Sequence, residues 1–94
     1  VLGPWLVTAD EIANPDNLNF SIRVGSEERQ NSNTDKLIFD CKKLIEYGSS
    51  FYTLYPGDVI MTGTPEGVGP VEPGDTMYCY CEGIGDMAVS VRSA

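Results

Sequence analysis

The sequence predicts a mainly β fold carrying one helix, and three observations predict it. Residues 18–24 alternate Leu18, Phe20, Ile22 and Val24 with Asn19, Ser21 and Arg23, the period of two of a half-buried strand. Leu44, Tyr47, Gly48 and Phe51 fall at i, i+3, i+4 and i+7, and this is the only such stripe in the chain. The same device, a proline-glycine-aspartate turn, occurs at residues 56–58 and again at 73–75, each placed to launch a strand.

The elements follow in order. Residues 2–7, LGPWLV, are extended and apolar, and Gly3 and Pro4 mark them as irregular or as a sheet edge. Thr8 with Glu11 three residues on has the form of a capping box, so one helical turn is expected there; the adjacent carboxylates Asp10 and Glu11 suit its positive end. Asn14, Pro15, Asp16 and Asn17 make a turn into the strand at 18–24, and Gly25 with Ser26 makes a tight hairpin. The chain then returns as a polar strand over 27–31, which must lie at an edge or line a cleft. Ser32, Asn33 and Thr34 read as a loop and residues 37–39 as an apolar segment. Asp40 is placed to cap a helix over about 41–50 whose apolar face packs on the sheet. Beyond the first proline turn, Val59, Ile60 and Met61 carry the signal of a buried strand. Beyond the second, residues 76–81, a turn at 82–85 and residues 87–91 form a closing hairpin.

Length and composition narrow the function classes. A chain of 94 residues has room for one domain, which at this size buries a little over ~60% of its unfolded surface and supports a modest core. With 14 acidic residues, 6 basic ones and no histidine, it lacks the basic stripe that nucleic acid requires and cannot assemble a histidine-based triad. No apolar run approaches the ~20 residues of a membrane span. Cys41, Cys79 and Cys81 have no framework spacing, which points to a reducing compartment. Cys79 and Cys81 share a strand face but fall short of a closed zinc site. The chain starts at Val1, inside an apolar run and without a methionine, so a segment of a longer protein is expected.

The candidate site is the stretch VIMTGTPEGVG at 59–69. Thr62 and Thr64 bring hydroxyls, Gly63, Gly67 and Gly69 open backbone angles closed to other residues, and Pro65 stiffens the middle. Hydroxyls and backbone N–H groups together suit a carboxylate; a plain glycine-rich turn between strands would have the same composition. Arg29 and Gln30, adjacent on the polar strand, offer a guanidinium and an amide to a carboxylate or ketone oxygen, or else form a solvated face. In a regular pleat these two side chains point opposite ways.

Taken together, GPWLVT at 3–8, RQ followed by NT within 29–34, LIFDCKKLIEY at 37–47, PGDVIMTGTPEGVGP at 56–70, PGD at 73–75 and EGIG at 82–85 resemble the fumarylacetoacetate hydrolase family, in its isomerase/decarboxylase and acylpyruvase branch. The resemblance runs over essentially the whole chain. It implies the C-terminal part of a mixed β-sandwich roll, usually a homodimer, cytoplasmic or mitochondrial. In that roll a divalent metal, commonly Mg²⁺, holds a 2-oxo or 1,3-dioxo acid whose carbon–carbon bond is hydrolysed, decarboxylated or isomerised. The family's E-x-E and Asp metal ligands, its His–Glu pair and its lysine have no counterpart in these residues. The resemblance carries substrate contacts onto Thr64, Thr62 and Gln30, close approach onto Gly63 and Gly67, and leaves Arg29 open. Ser32 stands where many members have glycine, and Gly48 where they have a larger apolar residue. A free-standing β module that keeps the binding loop without catalysis is the other reading.

Overall fold

In a computed structural model that describes all 94 residues, four antiparallel strands form one sheet in the order β2-β1-β3-β4. The strands are β1 (Asn19–Val24), β2 (Glu27–Asn33), β3 (Thr76–Cys81) and β4 (Gly85–Ser90), and one helix, α1 (Cys41–Phe51), follows β2. The expected mainly β fold with one helix is what the chain adopts. The polar strand lies at the edge, and it is longer than expected: Ser32 and Asn33 pair with Phe20 and Asn19 instead of forming a loop. Gly25 turns the first hairpin with φ +58, an angle that glycine reaches without steric cost.

Register sets the two faces of the sheet. Opposite Phe20, Ile22 and Val24 stand Cys81, Cys79 and Met77, and Met87 and Val89 continue the same apolar face. On the other face Arg23 stacks over the Tyr78 ring at 3.9 Å, a cation–π contact on a face whose tyrosines remain exposed. Between Ile22 and Arg23 the ladder slips, pairing Ile22 with Gln30 and Arg23 with Glu28. Arg29 is therefore the extra residue of a β-bulge, and the strict alternation that would send Arg29 and Gln30 to opposite faces does not apply.

The caps and turns are built from side chains at the expected positions. Asp40 accepts from the Lys43 N–H at 2.8 Å, and Asp16 accepts from the Cys41 N–H at 2.9 Å, so two carboxylates sit at the positive end of α1. In both proline turns the aspartate N–H bonds back to the first residue's carbonyl at 3.0 Å and its carboxylate accepts that residue's N–H at 2.8 Å. Positive φ at Gly57 and Gly74 makes both turns type II. Residues Ala9–Glu11 form a single 3-10 turn after Thr8, but the Thr8 side chain makes no capping bond, so the expected box is not closed.

Three expectations are corrected. Val59, Ile60 and Met61 pair with no strand and are exposed, Met61 by 92%, because no strand of this chain runs beside them. The apolar face of α1 does not pack on the sheet: only Leu44, Cys41 and Gly48 on the helix are half-buried. Tyr47 and Phe51 are exposed and stand edge-on to each other at 5.2 Å. The modest core is absent too, since no apolar residue is buried and the only buried residue is Gln30, at 7% exposure.

A folded monomer of 10.2 kDa exposes roughly 5,300 Å² by size scaling, whereas this chain exposes 7469 Å², an excess of roughly 2,200 Å². That is more than the ~800 Å² each partner gives to a standard interface. The 94-residue chain by itself is therefore expected to associate at micromolar concentration or to melt with little cooperativity. Sedimentation and calorimetry check this; a monomer with a sharp, high-temperature transition would contradict it.

Candidate functional site

The threonine loop docks on the bulge of β2. The Gln30 amide nitrogen lies 2.7 Å from Thr64 Oγ1 and 3.0 Å from the Pro65 carbonyl. A carbonyl can only accept, so the group facing it must be the NH₂, and the orientation of this amide follows from chemistry. Arg29 Nη1 donates to the Pro70 carbonyl at 3.1 Å. Its Nε lies 3.1 Å from Glu27 Oε1 as an ion pair, but the N–H is not aimed at that oxygen and makes no hydrogen bond. Both side chains hold the loop, which the bulge permits and a regular pleat would not.

Glycines divide the remaining work. A Cβ on Gly67 would stand 1.8 Å from the Arg29 carbonyl oxygen, so the close approach to β2 is made there. Gly63 has the same φ of +101, but nothing lies within 4 Å of where its Cβ would be. Among the residues of this chain Gly63 meets a demand of backbone angle, and the contact with β2 is made at Gly67.

Beside the loop lies an open cleft of about 780 Å³. Thr62, Gly63 and Thr64 form one wall; Leu37, Ile38 and Phe39 contribute an apolar one. Lys36 is the only basic residue lining it, a residue sequence reasoning missed. The available signal was a lone cation between Asp35 and an apolar run in a chain of net charge -8. The Asn33–Thr34 pair proves structural: Thr34 Oγ1 accepts from the Leu18 N–H at 2.9 Å and donates to the Pro15 carbonyl at 2.7 Å. Asn33 caps the short turn Thr34–Lys36 through the Asp35 N–H at 2.8 Å.

No three of the chain's Cys, Asp or Glu side chains converge, and a hard cation needs several oxygens together. The donors present do not fit the divalent metal that the resemblance implies. Titration of Mn²⁺ or Mg²⁺ into the 94-residue chain is expected to give no stoichiometric heat; a micromolar site would contradict this, and the adjacent carboxylates Asp10 and Glu11 would be the first ligands to replace. Two of the three thiols are held toward the protonated form. Burial pushes the Cys41 thiol above its ordinary value, helped by its hydrogen bond to Asp16 and the charges of Asp16 and Asp40; burial, then the Glu82 charge, pushes Cys81 up. Less thiolate at a given pH means slower attack. At pH 8 both should react with iodoacetamide more slowly than a peptide cysteine and gain rate as the pH rises past 9. A rate at pH 8 matching the peptide would contradict this.

A four-stranded antiparallel sheet with one helix, whose bulged edge strand latches a threonine-glycine loop beside an open cleft, defines an α+β segment. The family model for the fumarylacetoacetate (FAA) hydrolase C-terminal region matches residues 1–92, and the chain belongs to this family. It is 58% identical over 93 residues to maleylpyruvate hydrolase of Aquipseudomonas alcaligenes, covering 99% of this chain and 32% of that protein. It is 48% identical over 91 residues to a mitochondrial oxaloacetate tautomerase (FAHD2A) of Bos taurus, covering 89% and 29%. It superposes on maleylpyruvate hydrolase from Sphingobium sp. SYK-6 in complex with manganese(II) and pyruvate with a TM-score of 0.93 and 44% identity, over 96% of this chain and 34% of that one. Fumarylpyruvate hydrolase from Pseudomonas aeruginosa in complex with Mn²⁺ and pyruvate gives 0.86 and 40%, over 92% and 37%. The chain thus spans about a third of the length of the curated relatives it matches.

Proposed function

We propose that this chain is the substrate-holding segment of a metal-dependent enzyme that acts on 2-oxo acids of the acylpyruvate or oxaloacetate kind. The reaction is hydrolysis of a carbon–carbon bond, with decarboxylation or keto–enol tautomerisation as the related chemistries. The observation that carries the reading is the placement of Thr64 and Thr62 on the wall of a cleft, on a loop fixed by a buried amide. Two similar structures whose complexes contain Mn²⁺ and pyruvate support it, because pyruvate is itself a 2-oxo acid. In this reading the Thr64 hydroxyl, with Thr62 beside it, donates to the substrate carboxylate, a charge-assisted bond roughly twice as strong as a neutral one. Gly63 gives the backbone angle that brings the two threonines side by side. The divalent cation, Mn²⁺ or Mg²⁺, is held by residues other than these, and the excess exposed surface fits a homodimer whose protomers also cover this sheet.

Steady-state assays on the enzyme containing this chain test the reading, with Mn²⁺ or Mg²⁺ supplied and maleylpyruvate, fumarylpyruvate and oxaloacetate as substrates. Turnover of at least one, inhibited competitively by pyruvate, is expected. No turnover of any, together with no binding of pyruvate, would favour a non-catalytic module.

A further inference from the structure

We propose that Gln30 is a positioning residue that fixes the hydrogen of the Thr64 hydroxyl as a donor toward the cleft, rather than itself contacting substrate. This inference rests on the carboxylate role of Thr64 proposed above. Gln30 is the only buried residue of the chain, so its amide is held in place and shielded from water. Its NH₂ is committed twice, to the Pro65 carbonyl at 3.0 Å and to Thr64 Oγ1 at 2.7 Å, and the carbonyl leaves no choice about which end of the amide faces the loop.

A hydroxyl has one hydrogen and two lone pairs. Because Gln30 donates to Thr64 Oγ1, the hydroxyl hydrogen cannot point back at Gln30 and must find an acceptor elsewhere. No acceptor of this chain takes it, and Thr64 itself is exposed and lines the cleft. The hydrogen is thereby left for a ligand oxygen. Donation into Oγ1 also polarises the O–H and strengthens the bond that it gives. A free threonine rotor has three staggered positions for its hydrogen; the buried amide closes the one that faces Gln30, and a carboxylate, which can only accept, draws the hydrogen to itself from the two that remain. Both roles follow from one side chain: Gln30 ties down the loop and sets the polarity of its ligand-facing group.

The test measures pyruvate affinity of the intact, metal-loaded enzyme, as competitive Ki, over a pH range. In Gln30→Glu the carboxylate only accepts, so the Thr64 hydroxyl turns toward it and is lost to the ligand. We expect Ki to rise roughly tenfold or more at pH 8 and to recover relative to wild type as the pH falls and the introduced carboxylate regains a proton to donate. In a Thr64→Val background the same change should add little, because the group it acts through is gone. Should Gln30→Glu lower the melting temperature sharply, Gln30→Met, which keeps the length but has no donor, carries the same comparison in the same two backgrounds. A wild-type Ki at every pH in a folded Gln30 variant would overturn the proposal, as would an equal loss with and without the Thr64 hydroxyl. If instead Thr64→Val leaves pyruvate binding unchanged, the carboxylate reading itself fails and this one with it.

Discussion

Replacing Gly67 with alanine is expected to lift the threonine loop off β2 and to cost pyruvate binding more than about a hundredfold, the largest single-residue loss in the site. Two effects combine. At φ +101 an L-residue is strained by roughly 1–3 kcal/mol. Its Cβ would also stand 1.8 Å from the Arg29 carbonyl oxygen and 2.8 Å from the carbonyl carbon, and both belong to strand backbone, which cannot swing aside as a flexible side chain could. The loop must retreat, and in doing so it breaks the Gln30 bonds to Thr64 and Pro65 and the Arg29 bond to Pro70. Gly63→Ala is the control. It has the same φ with open space around it, so it bears only the conformational cost and should melt a few degrees below wild type while keeping most of its affinity. Hydrogen exchange over residues 62–70, a thermal melt and pyruvate titration would compare the two. Equal behaviour of the variants would mean that the contact between Gly67 and Arg29 does not anchor the loop.

What the sequence disclosed depended on whether the physics was local. The strand at 18–24 was legible because alternation along one strand already encodes which side is apolar. The turns were legible because proline, glycine and aspartate each satisfy a stated backbone need within four residues. Asp40 announced the helix in the same way. The bulge was not legible, because Glu27–Asn33 is polar throughout and offers no alternation for an extra residue to interrupt. For the same reason the adjacency of Arg29 and Gln30 argued wrongly for opposite directions. The stripe on α1 marks which face is apolar, but a pattern within one helix says nothing about what covers that face, and Tyr47 and Phe51 lie exposed. Val59, Ile60 and Met61 read as a buried strand because burial is inferred from apolarity, while a strand exists only where a neighbour completes its ladder. In the site, the threonines could be picked out by residue type. The part of Gln30 could not, since it depends on a partner 34 residues away.

Thr64→Ala tests the chemistry of the loop more directly than its anchoring. If the hydroxyl donates to a substrate carboxylate, its loss removes a hydrogen bond to a charged group, roughly 1.5–3 kcal/mol, or about tenfold to a hundredfold in kcat/KM. The structure adds a second, smaller consequence. One hydrogen of the buried Gln30 amide loses its acceptor at 2.7 Å, which costs about 1 kcal/mol or more of stability and lowers the melting temperature by a few degrees. Thr64→Ser keeps both the donor and the acceptor and should retain most activity with a nearly unchanged melt. Thr64→Val keeps the shape without the oxygen, so it should match Thr64→Ala in kinetics and separate the hydroxyl from the volume it fills. A loop that is only a glycine-rich turn gives another pattern: stability falls in Thr64→Ala and Thr64→Val alike, and kcat/KM for a 2-oxo acid stays where it was. Steady-state kinetics paired with a melt of each variant distinguishes these outcomes. An unchanged kcat/KM in Thr64→Ala would end the carboxylate assignment, because Thr64 carries the one hydroxyl of the loop that accepts from a buried side chain beside the cleft.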